Sequence, residues 1–179
     1  MWSARETKST MKKPTIYFDT NVISLLHYDG RDLNALSKRM ATLDWWESES
    51  RHFDLWSSLV TENELADGVF RHQEASLRFV RRLKYVPVVA ESRRLALAFM
   101  DANVIPANKL GDALQLALAC VHNLDYLLTW NYSHLANLVT QERGATIVSK
   151  WGLRMPLLVS PDSIPRANLG QPIRRPKHD

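Results

Sequence analysis

The chain has 179 residues, of which 45% are hydrophobic and 23% charged, and its formal net charge is +4. This length and composition predict one globular domain and exclude a disordered or fibrous protein. A single cysteine, Cys120, argues against a disulfide scaffold, and no apolar run approaches the roughly 18 residues of a membrane span. The first residues also lack the apolar core of a signal peptide. We therefore expect a cytoplasmic protein that does not contact a membrane.

Both ends of the chain are basic and show no hydrophobic periodicity. Residues 1–13 predict a flexible N-terminal extension that stops at Pro14. Several prolines and charges follow Pro161, so residues 163–179 predict a flexible basic tail. The domain itself is expected to span residues 14–162.

The first half of the domain predicts two strands and four helices. Residues 15–19 form a short apolar run typical of a buried parallel strand, and Thr20 is placed to cap a helix over residues 21–27. A long helix follows, and its apolar residues recur at helical spacing, which predicts a core or subunit-interface stripe: Leu33, Leu36, Met40, Leu43 and Trp46. Residues 55–60 predict a strand, residues 61–68 a helix that begins at Thr61, and residues 70–84 a further helix.

The second half continues the alternation. Residues 87–89 predict a short strand, and a helix through Leu95 and Phe99 stops before Pro106. Asp112 begins another helix, residues 126–129 predict a strand, and residues 133–138 a short helix. Two late strands are predicted at residues 146–148 and 157–159. Alternating strands and helices predict an α/β fold with a mostly parallel sheet covered by helices on both faces.

Three acidic residues, Asp19, Glu64 and Asp112, lie at junctions between predicted elements. Each has a purely structural alternative: an Asx turn for Asp19, a capping box of Thr61 and Glu64, and an N-cap for Asp112. All three are nevertheless expected near the same edge of the sheet, and clustered carboxylates repel one another unless a cation neutralises them. A divalent ion with a preference for oxygen ligands, Mg²⁺ or Mn²⁺, suits such a site.

Other catalytic motifs are missing. The sequence has no glycine-rich phosphate loop, no dinucleotide-binding glycine motif and no serine nucleophile elbow. Cys120 and His122 alone do not form a zinc site; Cys120 is predicted to pack in the core and His122 to end a helix.

Five short motifs follow one another along the chain: Asp19-Thr20-Asn21-Val22, Glu64-Leu65, Asp112-Ala113 with Leu116-Ala117 and Ala119, Leu127-Leu128-Thr129-Trp130-Asn131, and His134-Leu135-Ala136-Asn137. In their order and spacing, these motifs together resemble those of PIN-domain nucleases, and of VapC-like toxins in particular. The resemblance extends over residues 14–162. It implies a three-layer α/β/α sandwich and a ribonuclease that depends on Mg²⁺ or Mn²⁺.

The same resemblance assigns the acidic metal site to Asp19, Glu64 and Asp112. Asn131 stands where many members have a fourth acid, and an amide there can offer one neutral oxygen or position a water. Gln115 stands where related sequences often have histidine, and its role is left open. Thr20 and Asn21 are expected to orient the carboxylates through hydrogen bonds.

Several side chains are candidates for binding RNA, and each also has a structural alternative. Three arginines at helical spacing could follow a phosphate backbone or form a solvated face: Arg71, Arg78 and Arg82. Three tryptophans could stack on unpaired bases or pack in the interior: Trp45, Trp46 and Trp130.

The leading hypothesis is an endoribonuclease that acts as the toxin of a type II toxin–antitoxin system. It implies an RNA substrate, a cognate antitoxin and, through the apolar stripe, a possible homodimer. A second hypothesis is a catalytically weak PIN-like scaffold that binds RNA or protein. A third is an unrelated metal-dependent phosphohydrolase.

Overall fold

The computed structural model describes residues 12–166; most of the predicted extension and tail lie outside these residues. Packing continues past residue 162, where the sequence predicted the domain to end. Ile164 is buried among core side chains, and Arg166 Nη1 lies 2.5 Å from Asp44 Oδ2. The folded part of the chain thus includes the first residues assigned to the tail.

A five-stranded, wholly parallel sheet forms the centre of the molecule, in the order β3-β2-β1-β4-β5. Its strands are β1 (Thr15–Phe18), β2 (Asp54–Ser57), β3 (Lys84–Tyr85), β4 (Tyr126–Leu128) and β5 (Leu157–Val159). β1 is buried on both faces because it lies in the middle of the sheet, which explains its continuous apolar sequence.

Helices cover both faces of the sheet. The described residues form α1 (Thr20–Leu26), α2 (Leu33–Glu49), α3 (Leu59–Asp67), α4 (Gln73–Val80), α5 (Ala90–Asp101), α6 (Leu110–Val121) and α7 (Leu138–Lys150), with a short 3-10 helix, Ser50–His52, before β2. Ile16 and Phe18 pack with α1 to α4, whereas Tyr17, which alternates with them, packs with α5, α6 and α7. The predicted three-layer α/β/α sandwich is confirmed.

Within the described part of the chain, no helix combines the length and the apolar character needed to cross a bilayer.

Three predicted elements are wrong. The residues predicted as a strand at 146–148 lie inside α7. Ile147 and Val148 pack against the core from one face of this helix. The strand at residues 87–89 is absent, and the neighbouring residues Lys84–Tyr85 pair with β2 instead. Pro87 has no N–H to donate to a ladder, which disfavours a strand there. Residues 133–137 form turns and bends, and α7 begins at Leu138 because Asn137 caps it.

Several helix boundaries also differ from the prediction. α3 begins at Leu59, not Thr61, because the Ser58 hydroxyl accepts a hydrogen bond from the Val60 N–H at 3.1 Å. Asp19, not Thr20, occupies the N-cap position of α1, without a side-chain capping bond. α4 is shorter than the predicted helix over residues 70–84.

Only part of the apolar stripe predicted for α2 faces the core of this chain. Leu33 is 81% exposed and Met40 68% exposed, whereas Trp46 is partly buried against the core. The side chains that α2 buries fully are those of Thr42, Trp45 and Glu49.

Candidate active site

Asp19 directly follows β1, at the carboxyl edge of the sheet, and is 2% exposed. Its backbone N–H donates to Leu128 O at 3.1 Å, which continues the β1–β4 ladder by one residue and fixes its position. Asn21 Nδ2 donates to Asp19 Oδ2 at 2.6 Å, and the Thr129 hydroxyl donates to the same oxygen. Both side-chain hydrogen bonds therefore fall on Oδ2 and hold the carboxylate in one orientation.

Glu64 reaches the same region from the middle of α3. Its Oε2 accepts hydrogen bonds from the Thr20 hydroxyl and from Gln115 Nε2, the latter at 2.8 Å. Glu64 does not take part in a capping box, because Ser58 caps α3 and the predicted pair of Thr61 and Glu64 lies beyond its first residues. The second oxygen, Oε1, occupies space that a side chain at Gly111 would fill, since a Cβ there would lie 1.7 Å away.

Asp112 lies in the first turn of α6 and not at its N-cap, because the helix already begins at Leu110. Its Oδ2 accepts a hydrogen bond from Asn131 Nδ2 at 2.9 Å. The side-chain oxygen of Asn131, Oδ1, is used within its own loop, where it accepts from the His134 N–H at 3.1 Å. Asn131 is therefore a hydrogen-bond donor to the acid and not a neutral oxygen directed at a metal.

The three acids share one arrangement. In each, the side-chain hydrogen bonds fall on a single carboxylate oxygen, and no side chain among residues 12–166 donates to the other oxygen. The acids are thus oriented by the protein while each keeps one oxygen for a ligand. Thr20 and Asn21 each donate a hydrogen bond to one of the carboxylates.

Two residues of this network had no assigned role at the level of sequence. Thr129 follows β4 and donates to Asp19 while it accepts from the Asn131 N–H at 2.9 Å. Gln115 is fully buried and links Glu64 to Thr61, whose hydroxyl donates to Gln115 Oε1 at 3.4 Å. A sequence signal exists for Gln115: it is the one amide in the otherwise apolar run 113–121, and a buried amide needs partners.

Burial raises the pKa of all three carboxyl groups, and neighbouring carboxylates raise the pKa of Asp19 and Glu64 further. Burial, followed by the charges of Asp112 and Glu64, raises the pKa of Asp19 to about 7, although the bond from Thr129 partly opposes this. The pKa of Glu64 is raised by burial and then by the charge of Asp112. Burial likewise raises the pKa of Asp112, against the lowering effects of Asn131, His134 and Lys109. Loss of a proton from this cluster is therefore favoured by a nearby cation.

The acids suit a hydrated divalent ion better than a compact three-acid cage. Among residues 12–166, no group of three or more His, Cys, Asp or Glu side chains lies close enough to hold one metal ion. Mg²⁺ commonly binds through one or two carboxylates and keeps several waters. The charge of Asp112 raises the pKa of Asp19 more than that of Glu64 does. The three carboxylates thus offer the oxygen ligands that a hydrated divalent ion accepts.

The three arginines predicted to bind RNA do not share a helix face. Arg71 precedes α4 and pairs with Asp29 at 3.0 Å, while Arg78 pairs with Glu74 at 3.2 Å. Arg82 follows α4 and lines a cavity beside Asp54, the first residue of β2. It thus lies at the amino edge of the sheet, opposite the acids.

The tryptophans considered for base stacking are packed into the protein. Trp45 is fully buried, and Trp46 packs partly buried against Phe18 and Phe79. Trp130 is 7% exposed, and its Nε1 donates to the Thr42 hydroxyl at 2.9 Å.

A family model described as the PIN domain matches residues 16–136, and this chain belongs to that family. The matched range contains Asp19, Glu64, Asp112 and Asn131. PIN-domain nucleases are hydrolases that act on nucleic acids and generally use divalent metals. No curated protein matches the chain.

Solved structures with a similar fold include VapBC2 from Rickettsia felis bound to a DNA fragment from its promoter, with 13% identity and a TM-score of 0.50 over 82% of this chain and 98% of that chain. A toxin–antitoxin complex from Klebsiella pneumoniae has 23% identity and a TM-score of 0.50 over 83% of this chain and 99% of that chain. At these sequence identities, the similarity shows a shared fold.

Proposed function

We propose that this protein is an endoribonuclease that depends on Mg²⁺ or Mn²⁺ and acts as the toxin of a type II toxin–antitoxin pair. The observation that carries the proposal is the convergence of Asp19, Glu64 and Asp112 at one edge of the sheet, each with one oxygen held by hydrogen bonds and one left for a ligand. In this arrangement the charge of Asp112 raises the pKa of both Asp19 and Glu64, a cost that a bound cation removes.

Asp19 and Asp112 would hold the ion, and Asn21 and Thr129 would keep the Asp19 carboxylate in place. A bound divalent ion neutralises charge on a phosphodiester and lowers the pKa of water for in-line attack. Glu64 is positioned by Thr20 and Gln115 to orient the attacking water and to accept its proton through the free Oε1. The raised pKa of Glu64 favours this role, since a base works best when its pKa is near the working pH.

Two further observations support a toxin with a protein partner. The solved structures of similar fold are toxin–antitoxin complexes, and this chain covers nearly the whole length of each. Leu33 and Met40 also expose apolar surface on α2, which suits a cognate antitoxin or a second copy of the chain. A cytoplasmic location accords with both partners.

Incubation of the purified protein with single-stranded RNA tests the proposal. Cleavage is expected with Mg²⁺ or Mn²⁺, with none in the presence of a chelator. The Asp112→Asn variant should be inactive with both metals, because it removes one ligand charge, and should keep the wild-type circular dichroism spectrum. Cleavage that proceeds unchanged in a chelator, or an Asp112→Asn variant as active as the wild type, would contradict the proposal.

A catalytically weak scaffold is the second candidate, and the amide of Asn131 favours it. Where a fourth carboxylate would add negative charge, Asn131 donates a hydrogen bond to Asp112. RNA binding without cleavage under any metal condition would support this alternative. Membership of the PIN domain family removes the third hypothesis, an unrelated phosphohydrolase.

A further inference from the structure

A surface hollow of about 230 Å³ lies between α2 and the loop that follows β4. We call it the α2 hollow. The side chains that matter for its chemistry are Asn34, Ser37, Lys38, Trp130, Tyr132 and Asp162. None of them belongs to the acidic cluster or to the hydrogen bonds that orient it.

The α2 hollow is continuous with the acidic site through the backbone of the loop. Trp130 and Tyr132 line the hollow, and the residue between them, Asn131, donates to Asp112. The Trp130 N–H also donates to Asn21 Oδ1 at 2.8 Å, which fixes the loop against the site. An RNA strand bound at the carboxyl edge of the sheet beside Asp112 therefore lies next to the loop whose residues line the hollow.

The hollow presents an open aromatic ring over a rigid base. Tyr132 is 46% exposed, and its ring packs edge-on against that of Trp130 at a centroid distance of 6.1 Å. Trp130 is held in turn by its hydrogen bond to Thr42. The exposed face of Tyr132 is thus fixed in place and available for stacking on an unpaired base.

The hollow also contains a cation that carries no ion pair. Lys38 Nζ lies 5.8 Å from the Trp130 ring and 5.9 Å from the Tyr132 ring. Within residues 12–166 no carboxylate pairs with Lys38, in contrast to Arg71 and Arg78. An ammonium beside an open ring matches the phosphate and the base of one nucleotide.

We infer that the α2 hollow binds one nucleotide of single-stranded RNA next to the cleaved phosphodiester, with its base on Tyr132 and its phosphate on Lys38. This inference rests on the proposed ribonuclease function and assigns a subsite to it. Asp162 accepts a hydrogen bond from the Tyr132 hydroxyl at 3.5 Å, and its carboxylate can also accept one from the amino group of a base, a donor that the side chains of an acidic peptide lack.

The test measures binding separately from cleavage. Asp112→Asn protein is used so that no cleavage occurs. A fluorescein-labelled, mixed-sequence RNA of about ten nucleotides is titrated with this protein, and Kd is measured by fluorescence anisotropy between about 50 and about 200 mM salt. Tyr132→Ala should weaken binding roughly tenfold, whereas Tyr132→Phe, which keeps the ring, should not. Lys38→Ala should weaken binding and reduce the slope of log Kd against log salt by about 0.7, the value for one phosphate contact on a single strand.

Lys150→Ala is the matched control, because Lys150 is an exposed lysine at the C-terminal end of α7 and does not line the hollow. The inference would be overturned if Tyr132→Ala and Lys38→Ala both bound RNA with the wild-type Kd, or if they lost no more affinity than Lys150→Ala. Cleavage by the wild type would be unaffected by that result. The inference would also be overturned if the same variants lost as much affinity for an oligoglutamate peptide as for RNA. The hollow would then be a docking surface for anionic polymers in general. Absence of cleavage by the wild type, in contrast, would count against the proposed function itself.

Discussion

Asn131 shows how a single amide sets the charge of the candidate site. Its Nδ2 lies 2.9 Å from Asp112 Oδ2, so a carboxylate at this position would replace a donor by a negative charge. In the metal-free protein, Asn131→Asp should therefore lower the melting temperature at neutral pH. With Mg²⁺ or Mn²⁺ the same variant should bind metal more tightly, because affinity in oxygen sites rises with ligand charge.

Calorimetric titration and thermal melting with and without metal measure both effects. Asn131→Ala is the control, since it removes the hydrogen bond without adding charge. A metal Kd for Asn131→Asp equal to that of the wild type would show that position 131 lies outside the metal's reach.

Gly111 has a role that depends on its missing side chain. Gly111→Ala places a Cβ 1.7 Å from Glu64 Oε1, and the carboxylate must move although Thr20 and Gln115 hold its other oxygen. The atom that must move is the end of a flexible side chain, and alanine favours a helix by about 1 kcal/mol over glycine. We expect at least a roughly tenfold loss of kcat for RNA cleavage, as for other misplaced catalytic groups, with no loss of thermal stability.

A double-mutant cycle with Glu64→Asp checks this explanation. The shorter acid leaves room for the added methyl group, so Gly111→Ala should cost much less activity in the Glu64→Asp background than in the wild type. Additive losses in the two backgrounds would exclude the proposed steric contact.

At the scale of elements, the cap of α7 holds the loop that carries Asn131. Asn137 Oδ1 accepts from the Thr140 N–H at 2.8 Å, and Asn137 Nδ2 donates to Tyr132 O at 3.0 Å. One side chain thus begins the helix and fastens residue 132 to it. This double contact explains why residues 133–137 form turns and bends that lead into α7 instead of a helix of their own.

Asn137→Ala should lower the free energy of unfolding by about 1 kcal/mol, with a range of about 0.5 to 2 kcal/mol for lost N-caps. Urea denaturation monitored by circular dichroism measures the change. Asn137→Ser retains a capping oxygen but not the bond to Tyr132, so it should recover most of the stability. Equal destabilisation by alanine and serine would indicate that the bond to Tyr132, and not the cap, provides the stabilisation.

At the scale of the whole molecule, the buried acids make stability depend on pH. Burial and neighbouring charges raise the pKa of Asp19 from the ordinary value of 3.8 to about 7. Between these two values the folded protein binds more protons than the unfolded chain, so stability falls as the pH rises through this window. The raised pKa values of Glu64 and Asp112 act in the same direction.

For the metal-free protein we expect the free energy of unfolding to fall between about pH 4 and pH 7, with a contribution from Asp19 on the order of 4 kcal/mol at most. Asp19→Asn should flatten the profile, because the amide does not titrate, and Mg²⁺ should restore stability at pH 7 only in the wild type. Urea denaturation at several pH values, with a chelator or with Mg²⁺, provides the measurement. Parallel wild-type and Asp19→Asn profiles would show that Asp19 titrates in the folded state as it does in the unfolded chain.

The sequence alone was sufficient for the architecture and for the location of the acids. The uninterrupted apolar run of β1 predicts a strand buried on both faces, and the carboxyl end of such a strand faces the ligand crevice of a parallel sheet. Alternation of strands and helices then predicts the layers. These inferences succeed because periodicity and composition record the local environment of each element.

Only the tertiary structure decided which polar groups meet and which aromatic rings stay exposed. Gln115 and Glu64 are 51 positions apart, and their contact exists because α3 and α6 pack together. In the same way, residues 146–148 have the composition of a strand but are helical, since α7 begins at a strong cap and buries Val148. Trp130 is buried while its neighbour Tyr132 is exposed because α2 covers only the first of them. Such pairings depend on the packing of elements distant along the chain, and local sequence carries little information about them.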